Sequence, residues 1–404
     1  MRERSAANGN AVRILYVTRQ LAPQGVGGIG TYVATLARAM RAAGHDVTIV
    51  SASPGGVRST EVIDGVVVER FGIAGPATLW RLLERASWPV ASRLQAAVSA
   101  WAAVRRVPGR FDVIEAPEWK AEGLLLGGRK GRLVVHLHLP QELVRRWRRE
   151  PLRRWRGAAI AEWLERRTVR RARAVTATSR LSRTGPGGDP WLPAIDVRIV
   201  PPFLDLEWWR RAPEVAGTRP VVLFLGHLEH RKGPDVLLAA LGQLVDEVPG
   251  LVVRFVGRPF EGPDGRPFDV HLREEAARLG IACEVLPVER DPGAVRDLYA
   301  AARVVAVPSR YETLSLAALE GFAAARPVAL TDTVGAAEWV ASEVPELVVP
   351  SEDPVALADA LRPLLLDAEA AAVAGKRGQA RVRAVCALDA AVAARLTLYE
   401  EVAA

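Results

Sequence analysis

The feature that most constrains this chain is a rhythm. A short aliphatic run is followed by a loop, a helix-length segment and another aliphatic run, and the cycle recurs along the sequence. Residues 12–17 (VRILYV) read as a buried strand. The Gly-rich loop PQGVGGIG follows, then an amphipathic helix expected from about Thr31 to Ala43, then the strand DVTIVSA. Later strands are expected at VVVERF, FDVIEA, LVVHLHL and AVTATS. These runs lack a clean polar–apolar alternation, so both faces of each strand are expected to be covered, as in parallel sheets. The order strand–loop–helix–strand signals an α/β fold.

The rhythm then pauses and restarts. A breaker-rich stretch, RTGPGGDPWLP, precedes the strand VRIVPPF, and residues 206–219 have the polar, Pro-containing composition of a linker. A second series begins at VVLFLG (221–226). It continues with helices expected over 234–246, 269–279, 293–302, 314–325, 335–341 and 354–367, alternating with LVVRFVG, CEVLPV, VVAVPS, PVAL and LVVP. Half of the 404 residues are hydrophobic, enough for two cores. The expected organisation is a first Rossmann-like domain over 12–205, a linker over 206–219, a second over 220–385 and a final helix within 386–404. Two doubly wound sheets leave a groove between their carboxyl edges, where ligands bind.

The N-terminal MRERSAANGN carries no apolar segment, so no secretory signal is expected, and no apolar run reaches the roughly 20 residues of a spanning helix. The two cysteines, Cys283 and Cys386, have no metal or redox spacing and suit a reduced, cytoplasmic compartment. Lysine occurs only at Lys120, Lys130, Lys232 and Lys376, so arginine supplies nearly all of the net charge of +8. No nucleic-acid-binding motif accompanies that charge, and no nucleic-acid partner is expected.

Four stretches carry chemistry. Residues 25–30 spell GxGxxG, whose glycines let amides approach a phosphate beside a helix N-terminus. The dinucleotide form of this motif needs an acid at the end of the next strand, and Ser51-Ala52-Ser53 provides none, which disfavours an NAD-dependent oxidoreductase. His136 and His138 lie two apart on one strand and point the same way, just before Pro140 at the carboxyl end. Arg231 and Lys232, in GHLEHRKG, are placed to neutralise a diphosphate leaving group, unless this is only a solvated basic turn. In PSRYETLSLAALEG a strand runs into a helix expected to start near Leu314. The amides of Leu314, Ser315 and Leu316 can take a phosphate there, with Glu312 just before the helix and Glu320 two turns inside it.

On these residues the chain resembles retaining glycosyltransferases of the GT-B fold, in the large family 4 group. The resemblance rests on the E-x7-E signature at Glu312 and Glu320, with support from GGIGTYV, the strand histidine before LP, RKGPDVLL and ARPVALTD. It implies an α/β GT-B fold: two Rossmann-like domains with doubly wound parallel sheets facing across a cleft. It implies that Gly27 and Gly28 close over the donor phosphate and that His138 touches the donor sugar near the reacting centre. Lys232 and Arg231 would hold the diphosphate, Glu312 the sugar hydroxyls, Glu320 the ribose, and the amides of Leu314, Ser315 and Leu316 the phosphate. His138, Glu312 and Lys232 would be the catalytic set, and His136, Glu115 and Glu118 are the acceptor-side candidates. No metal and no cofactor are expected. The donor would be a nucleotide-sugar, UDP-sugar first and GDP-sugar second, and the last helix would cross back onto the first domain. Three departures stand out. Gly226-His227 replaces a frequent Gly-Arg, Thr-Leu-Ser follows Glu312 in place of small-Phe-Gly, and Pro202-Phe203 replaces Asn-Gly after the interdomain strand.

The acceptor is expected to be a hydroxyl compound, a natural-product or inositol-like alcohol. The alternative is a lipid or lipid-linked saccharide at the inner membrane face. Residues 141–173 interleave Trp147, Trp155 and Trp163 with many arginines, a pattern of anionic membrane interfaces as well as of solvated basic helices packed on a core. A non-catalytic nucleotide-sugar binder is disfavoured because both glutamates and Lys232 are present.

Overall fold

The computed structural model describes residues 11–21, 28–53, 55–128, 131–147, 157–185, 191–192, 195–209, 219–262 and 265–404. Its strands are β1 (Arg13–Thr18), β2 (Asp46–Ala52), β3 (Ser59–Ile63), β4 (Val66–Phe71), β5 (Val113–Pro117), β6 (Leu133–Leu137), β7 (Ala174–Ala177), β8 (Arg198–Ile199), β9 (Val221–Leu225), β10 (Val252–Val256), β11 (Ala282–Leu286), β12 (Val304–Val307), β13 (Val328–Thr331) and β14 (Val348–Val349). Its helices are α1 (Gly28–Ala42), α2 (Ala77–Val104), α3 (Gln141–Trp147), α4 (Ala158–Arg170), α5 (Leu181–Thr184), α6 (Leu206–Trp209), α7 (Pro234–Leu241), α8 (Phe268–Arg278), α9 (Pro292–Ala300), α10 (Leu316–Ala323), α11 (Ala337–Val340), α12 (Pro354–Leu366), α13 (Ala368–Val385) and α14 (Leu388–Ala403).

The strands form two sheets, ordered β3-β4-β2-β1-β5-β6-β7-β8 and β11-β10-β9-β12-β13-β14. Every pairing is parallel except β3 with β4. The absence of alternation in the sequence has its physical cause here. In β1, Ile14 and Tyr16 enter one core with Val33, Leu36 and Met40 of α1, while Leu15 and Val17 enter another with Ala100 and Ala103 of α2. The second lobe packs its own core around Val222, Phe224, Val253, Phe255, Val305 and Leu330.

Several boundaries differ from expectation. The β3–β4 hairpin turns at Asp64 and Gly65, both with positive φ, the signature of a tight two-residue turn. Helix α1 starts at Gly28, so its last glycines belong to the helix. Helix α7 ends at Leu241, five residues early, and α13 fills a stretch for which no element was expected. Gly27 and Trp155 lie outside the described residues, as do 210–218 of the expected linker. Helix α14 packs on α1 and β5 of the first lobe.

Candidate active site

In each sheet the first strand sits at the point where the strand order reverses: β1 between β2 and β5, β9 between β10 and β12. Crevices open there beyond the carboxyl ends of the strands. The loop leaving β6 meets the loop leaving β12, where the Thr313 hydroxyl donates to the His138 carbonyl. A Cβ added to Gly28, at the start of α1, would lie 3.6 Å from Leu316 Cδ1, at the start of α10. The positive ends of two helices thus converge, where a phosphate is best stabilised.

The second lobe supplies the charged set. Lys232 ends a 3-10 turn over His230–Lys232, and its Nζ pairs with Glu312 Oε2 at 2.6 Å. Ser309 donates to the other oxygen, Oε1, at 2.7 Å. Burial raises the Glu312 pKa, but Lys232 and Arg231 outweigh it and leave the carboxyl below its ordinary value. Burial is the larger effect on Lys232, whose pKa is lowered despite Glu312. Glu320 accepts from the Tyr299 hydroxyl at 3.0 Å, and burial pushes its pKa up.

Two expectations for this lobe are corrected. Helix α10 begins at Leu316, two residues later than expected, because Ser315 takes a positive φ of 79° and cannot be its first turn. The first-turn amides are therefore those of Leu316, Ala317 and Ala318. Arg231, expected at the diphosphate, points inward. It pairs with Glu229 at 2.5 Å and donates to the Tyr311 carbonyl at 2.8 Å, which props the loop before α10. Adjacent residues on a 3-10 turn point about 120° apart, so Lys232 reaches Glu312 while Arg231 turns to Glu229.

In the first lobe, His136 and His138 are brought together, with ring centroids 4.6 Å apart. His136 is buried and shares a hydrogen bond with Thr176 Oγ1 at 2.8 Å. His138 is half-buried, and its carbonyl accepts from Thr313 of the other lobe. The acidic acceptor-side candidates are displaced from that role. Glu118 is fully buried and accepts the amides of His138 at 2.8 Å and Leu139 at 2.6 Å, which shapes the loop after β6. Burial pushes its pKa up to about 8, against the pull of these two amides. Glu115 is also internal, with both oxygens taken by the hydroxyls of Tyr32 and Tyr399.

The lobes are closed on one another. Ser179 donates to the Thr313 carbonyl, the Tyr311 hydroxyl donates to the Leu181 carbonyl at 3.2 Å, and Trp339 Nε1 donates to the Thr178 carbonyl at 2.7 Å. Glu338 accepts the amides of Arg180 and Leu181 at 3.0 and 3.1 Å. Between α1 and α10 a pocket of about 120 Å³ remains, lined among others by Thr31, Tyr32, Phe203, Leu316 and Glu320. Ligand sites of this kind usually measure roughly 300–1,000 Å³.

The chain matches two family models, Glycosyltransferase Family 4 over residues 26–208 and Glycosyl transferases group 1 over residues 206–381. It is 30% identical over 393 residues to D-inositol 3-phosphate glycosyltransferase 1 of Catenulispora acidiphila, covering 90% of this chain and 89% of that protein. A relative of the same description from Saccharomonospora viridis is 31% identical over 375 residues, covering 86% and 83%. The chain belongs to glycosyltransferase family 4. Its fold is GT-B. Sucrose-phosphate synthase from Thermosynechococcus elongatus superposes with a TM-score of 0.70 at 21% identity, covering 96% of this chain and 98% of that one. HepE from Anabaena, solved with UDP and glucose, gives 0.68 at 19% identity, covering 96% and 99%.

Two residues of this glycosyltransferase on loops at the carboxyl ends of strands were not singled out by sequence. Arg310 clamps Asp235 through two bonds of 2.9 and 2.8 Å and Glu352 at 2.9 Å, fixing the loop that carries Glu312. Lys120 stands at the carboxyl end of β5 with a positive φ of 55°, its ammonium 4.6 Å from the Trp119 ring and 5.6 Å from Trp88. Burial, with Arg19 and Arg93 nearby, lowers its pKa to about 8. The scarcity of lysine in an arginine-rich chain was the one available signal for it. Among the described residues of the glycosyltransferase, no group of three or more His, Cys, Asp or Glu is arranged to hold a metal.

Proposed function

We propose that this family 4 glycosyltransferase takes a sugar from a nucleotide diphosphate sugar and passes it, with retention, to a hydroxyl of an inositol-like alcohol. The observation that carries the reading is the convergence of the α1 and α10 amino ends, with Glu320 lining the pocket between them and the Lys232–Glu312 pair on the loops that precede α7 and α10. The pyrophosphate would lie against the amides of Leu316, Ala317 and Ala318, with Gly28 closing from α1. Lys232 would release Glu312 to the sugar hydroxyls and move onto the phosphates, whose charge grows as the glycosidic bond breaks. Glu320 would accept from both ribose hydroxyls. His138 would meet the sugar from the first lobe. The departing phosphate oxygen would take the acceptor's proton as the acceptor attacks from the same face, so configuration is kept.

In this reading residues 12–205 form the acceptor lobe, 206–219 the linker, 220–385 the donor lobe and 386–404 the strap between them. UDP is the first choice of nucleotide and GDP the second. The relatives' description as D-inositol 3-phosphate glycosyltransferases supports a cyclic polyol acceptor. A thermal-shift screen with UDP-, GDP- and ADP-sugars tests the donor. At least one nucleotide is expected to raise the melting temperature, since ligand bound only by the folded state stabilises it by mass action. A shift with NAD and with no nucleotide diphosphate would overturn the reading.

One observation favours the membrane alternative. On α4 both acids turn inward, Glu162 to Arg145 at 2.5 Å and Glu165 to Arg93 at 2.9 Å. The outer face presents Ile160 and Trp163, 55% and 56% exposed, with Arg167 and Arg170. Apolar and cationic groups without acids suit an anionic lipid surface. No helix among the described residues is long and apolar enough to cross a membrane. If the alternative holds, the protein sediments with phosphatidylglycerol vesicles, not with phosphatidylcholine vesicles, and W163A releases it. Equal recovery in both supernatants favours a soluble acceptor.

A further inference from the structure

Tyr32 stands in the second turn of α1 and lines the interlobe pocket. Its ring stacks on His136 with centroids 4.5 Å apart and planes 13° apart, and meets His138 edge-on at 4.8 Å. Its hydroxyl donates to Glu115 Oε1 at 3.0 Å and accepts from Arg395 Nε at 3.1 Å. Arg395 comes from α14, at the other end of the sequence, yet it is 1% exposed. Its guanidinium lies 5.3 Å from the Tyr32 ring and 5.1 Å from the Phe203 ring. Nη1 donates to the carbonyls of Pro201 at 3.3 Å and Ala391 at 3.0 Å. Nη2 is buried without a partner among the described residues. Tyr399, one turn further along α14, donates to Glu115 Oε2 at 2.6 Å, and the Tyr16 hydroxyl lies 3.2 Å from it.

Burying a guanidinium is costly unless it is paired, and packing alone does not call for one here. A hydrocarbon side chain would fill the same space between α14 and α1. What the charge and its donors add is a fixed position for the Tyr32 hydroxyl, and through the stacked ring a fixed position for the two histidines. Resting on the reading that His138 meets the donor sugar, we infer that Arg395 and Tyr32 are positioning residues of the active site, which makes the last helix part of the catalytic support. The guanidinium also opposes protonation of the pair. Burial first and Arg395 second push His138 down to about 3. For His136 burial leads, followed by His138 and Arg395. The other titratable groups around them are Glu115, Tyr16, Tyr32 and Tyr399, together with Glu118 on the His138 amide. A neutral His138 offers a sugar hydroxyl one N–H and one lone pair.

The test uses the full chain. Arg395→Met keeps length and removes charge and donors, and Arg395→Lys keeps the charge. In protein labelled with ¹⁵N-histidine, the wild-type His136 and His138 signals are expected to stay neutral as pH falls from about 8 to 5. In R395M burial still keeps the pair neutral over that window, but the ring-nitrogen shifts of at least one of them move, as orientation and tautomer balance change. Turnover is read as UDP release from UDP-glucose or UDP-N-acetylglucosamine, whichever is consumed. In R395M kcat falls by about tenfold or more, because the histidines lose their fixed orientation, while affinity for UDP stays within about twofold. R395K recovers part of kcat. Unchanged histidine spectra with unchanged kcat overturn the inference, as does a loss of UDP affinity in proportion to kcat. Should R395M fail to fold, Tyr32→Phe, which keeps the ring and removes the hydroxyl, carries the same expectations. A His138→Ala variant that turns over normally sinks the reading of His138 itself. An inactive H138A beside a fully active R395M sinks only the positioning role.

Discussion

Replacing Lys232 by Ala will lower kcat/KM by about 10²–10³, the usual loss when one preorganised group aimed at developing charge is removed. At about 1.4 kcal/mol per factor of ten, that is roughly 3–4 kcal/mol of transition-state stabilisation. Among the described residues Lys232 is the cation paired with Glu312, while Arg231 is tied to Glu229 and the Tyr311 carbonyl. A second effect must be separated from the first. Removing the ammonium leaves Glu312, largely buried, without its main counter-charge, so K232A will also melt earlier. The double variant Lys232→Met with Glu312→Gln removes both charges and is expected to recover the melting temperature while staying inactive. The pH dependence follows from the sign of the Glu312 shift. Its folded value lies below the ordinary 4.5, so the pair's stabilisation is present above about pH 4.5 and is lost as pH falls through the lower folded value. The gap in melting temperature between wild type and K232A should therefore narrow below that point. Melting curves from neutral to acid pH, alongside steady-state kinetics, check both parts. A K232A enzyme with normal kcat/KM would remove Lys232 from the mechanism.

Replacing Glu320 by Ala will weaken UDP binding by about 10- to 100-fold, measured by calorimetry. A carboxylate accepting from both ribose hydroxyls makes two charge-assisted bonds of roughly 1.5–3 kcal/mol each, and the sum is not fully additive. Stability without ligand should hardly suffer. Burial raises the Glu320 pKa, so the unfolded chain ionises this group at lower pH than the folded chain does. Its contribution to stability is present below its ordinary 4.5 and is lost as pH rises through the folded value. Near neutral pH the native enzyme thus gains nothing from this carboxyl. The Tyr299 hydroxyl also keeps a second acceptor, the Ala317 carbonyl at 3.2 Å. Loss of UDP affinity with a nearly unchanged melting temperature is the expected pattern, with Glu320→Gln in between. Wild-type affinity in E320A would place the ribose elsewhere.

How much of this was legible in the sequence varies by element. The aliphatic runs located the strands because a parallel strand is buried on both faces and shows it in composition alone. The edge strand β3 is exposed along its whole length and has no such mark; only the Asp64-Gly65 turn announced it. Glu312 and Glu320 could be picked out because both stand on one loop-helix unit, eight residues apart, a spacing visible in the sequence alone. Glu115 and Glu118 misled, because a glutamate at a strand's carboxyl end reads the same whether it faces a ligand or takes backbone amides. Which it does depends on neighbours far along the chain: Tyr399 for Glu115, and the loop after β6 for Glu118.

By itself the sequence determined what is local: two α/β series, the glycine-rich entry to α1, and a loop-helix unit with carboxylates at set spacing. Hydrophobic periodicity and backbone permissiveness act over a few residues, so one strand of text suffices to read them. The tertiary structure decided which charges face the groove. It turned Lys232 toward Glu312 and Arg231 away, started α10 at Leu316, and carried Arg395 from the last helix to Tyr32. Those outcomes depend on desolvation and on partners far along the chain, 80 residues from Arg231 to Tyr311 and 363 from Arg395 to Tyr32, quantities that exist only once the chain has closed on itself.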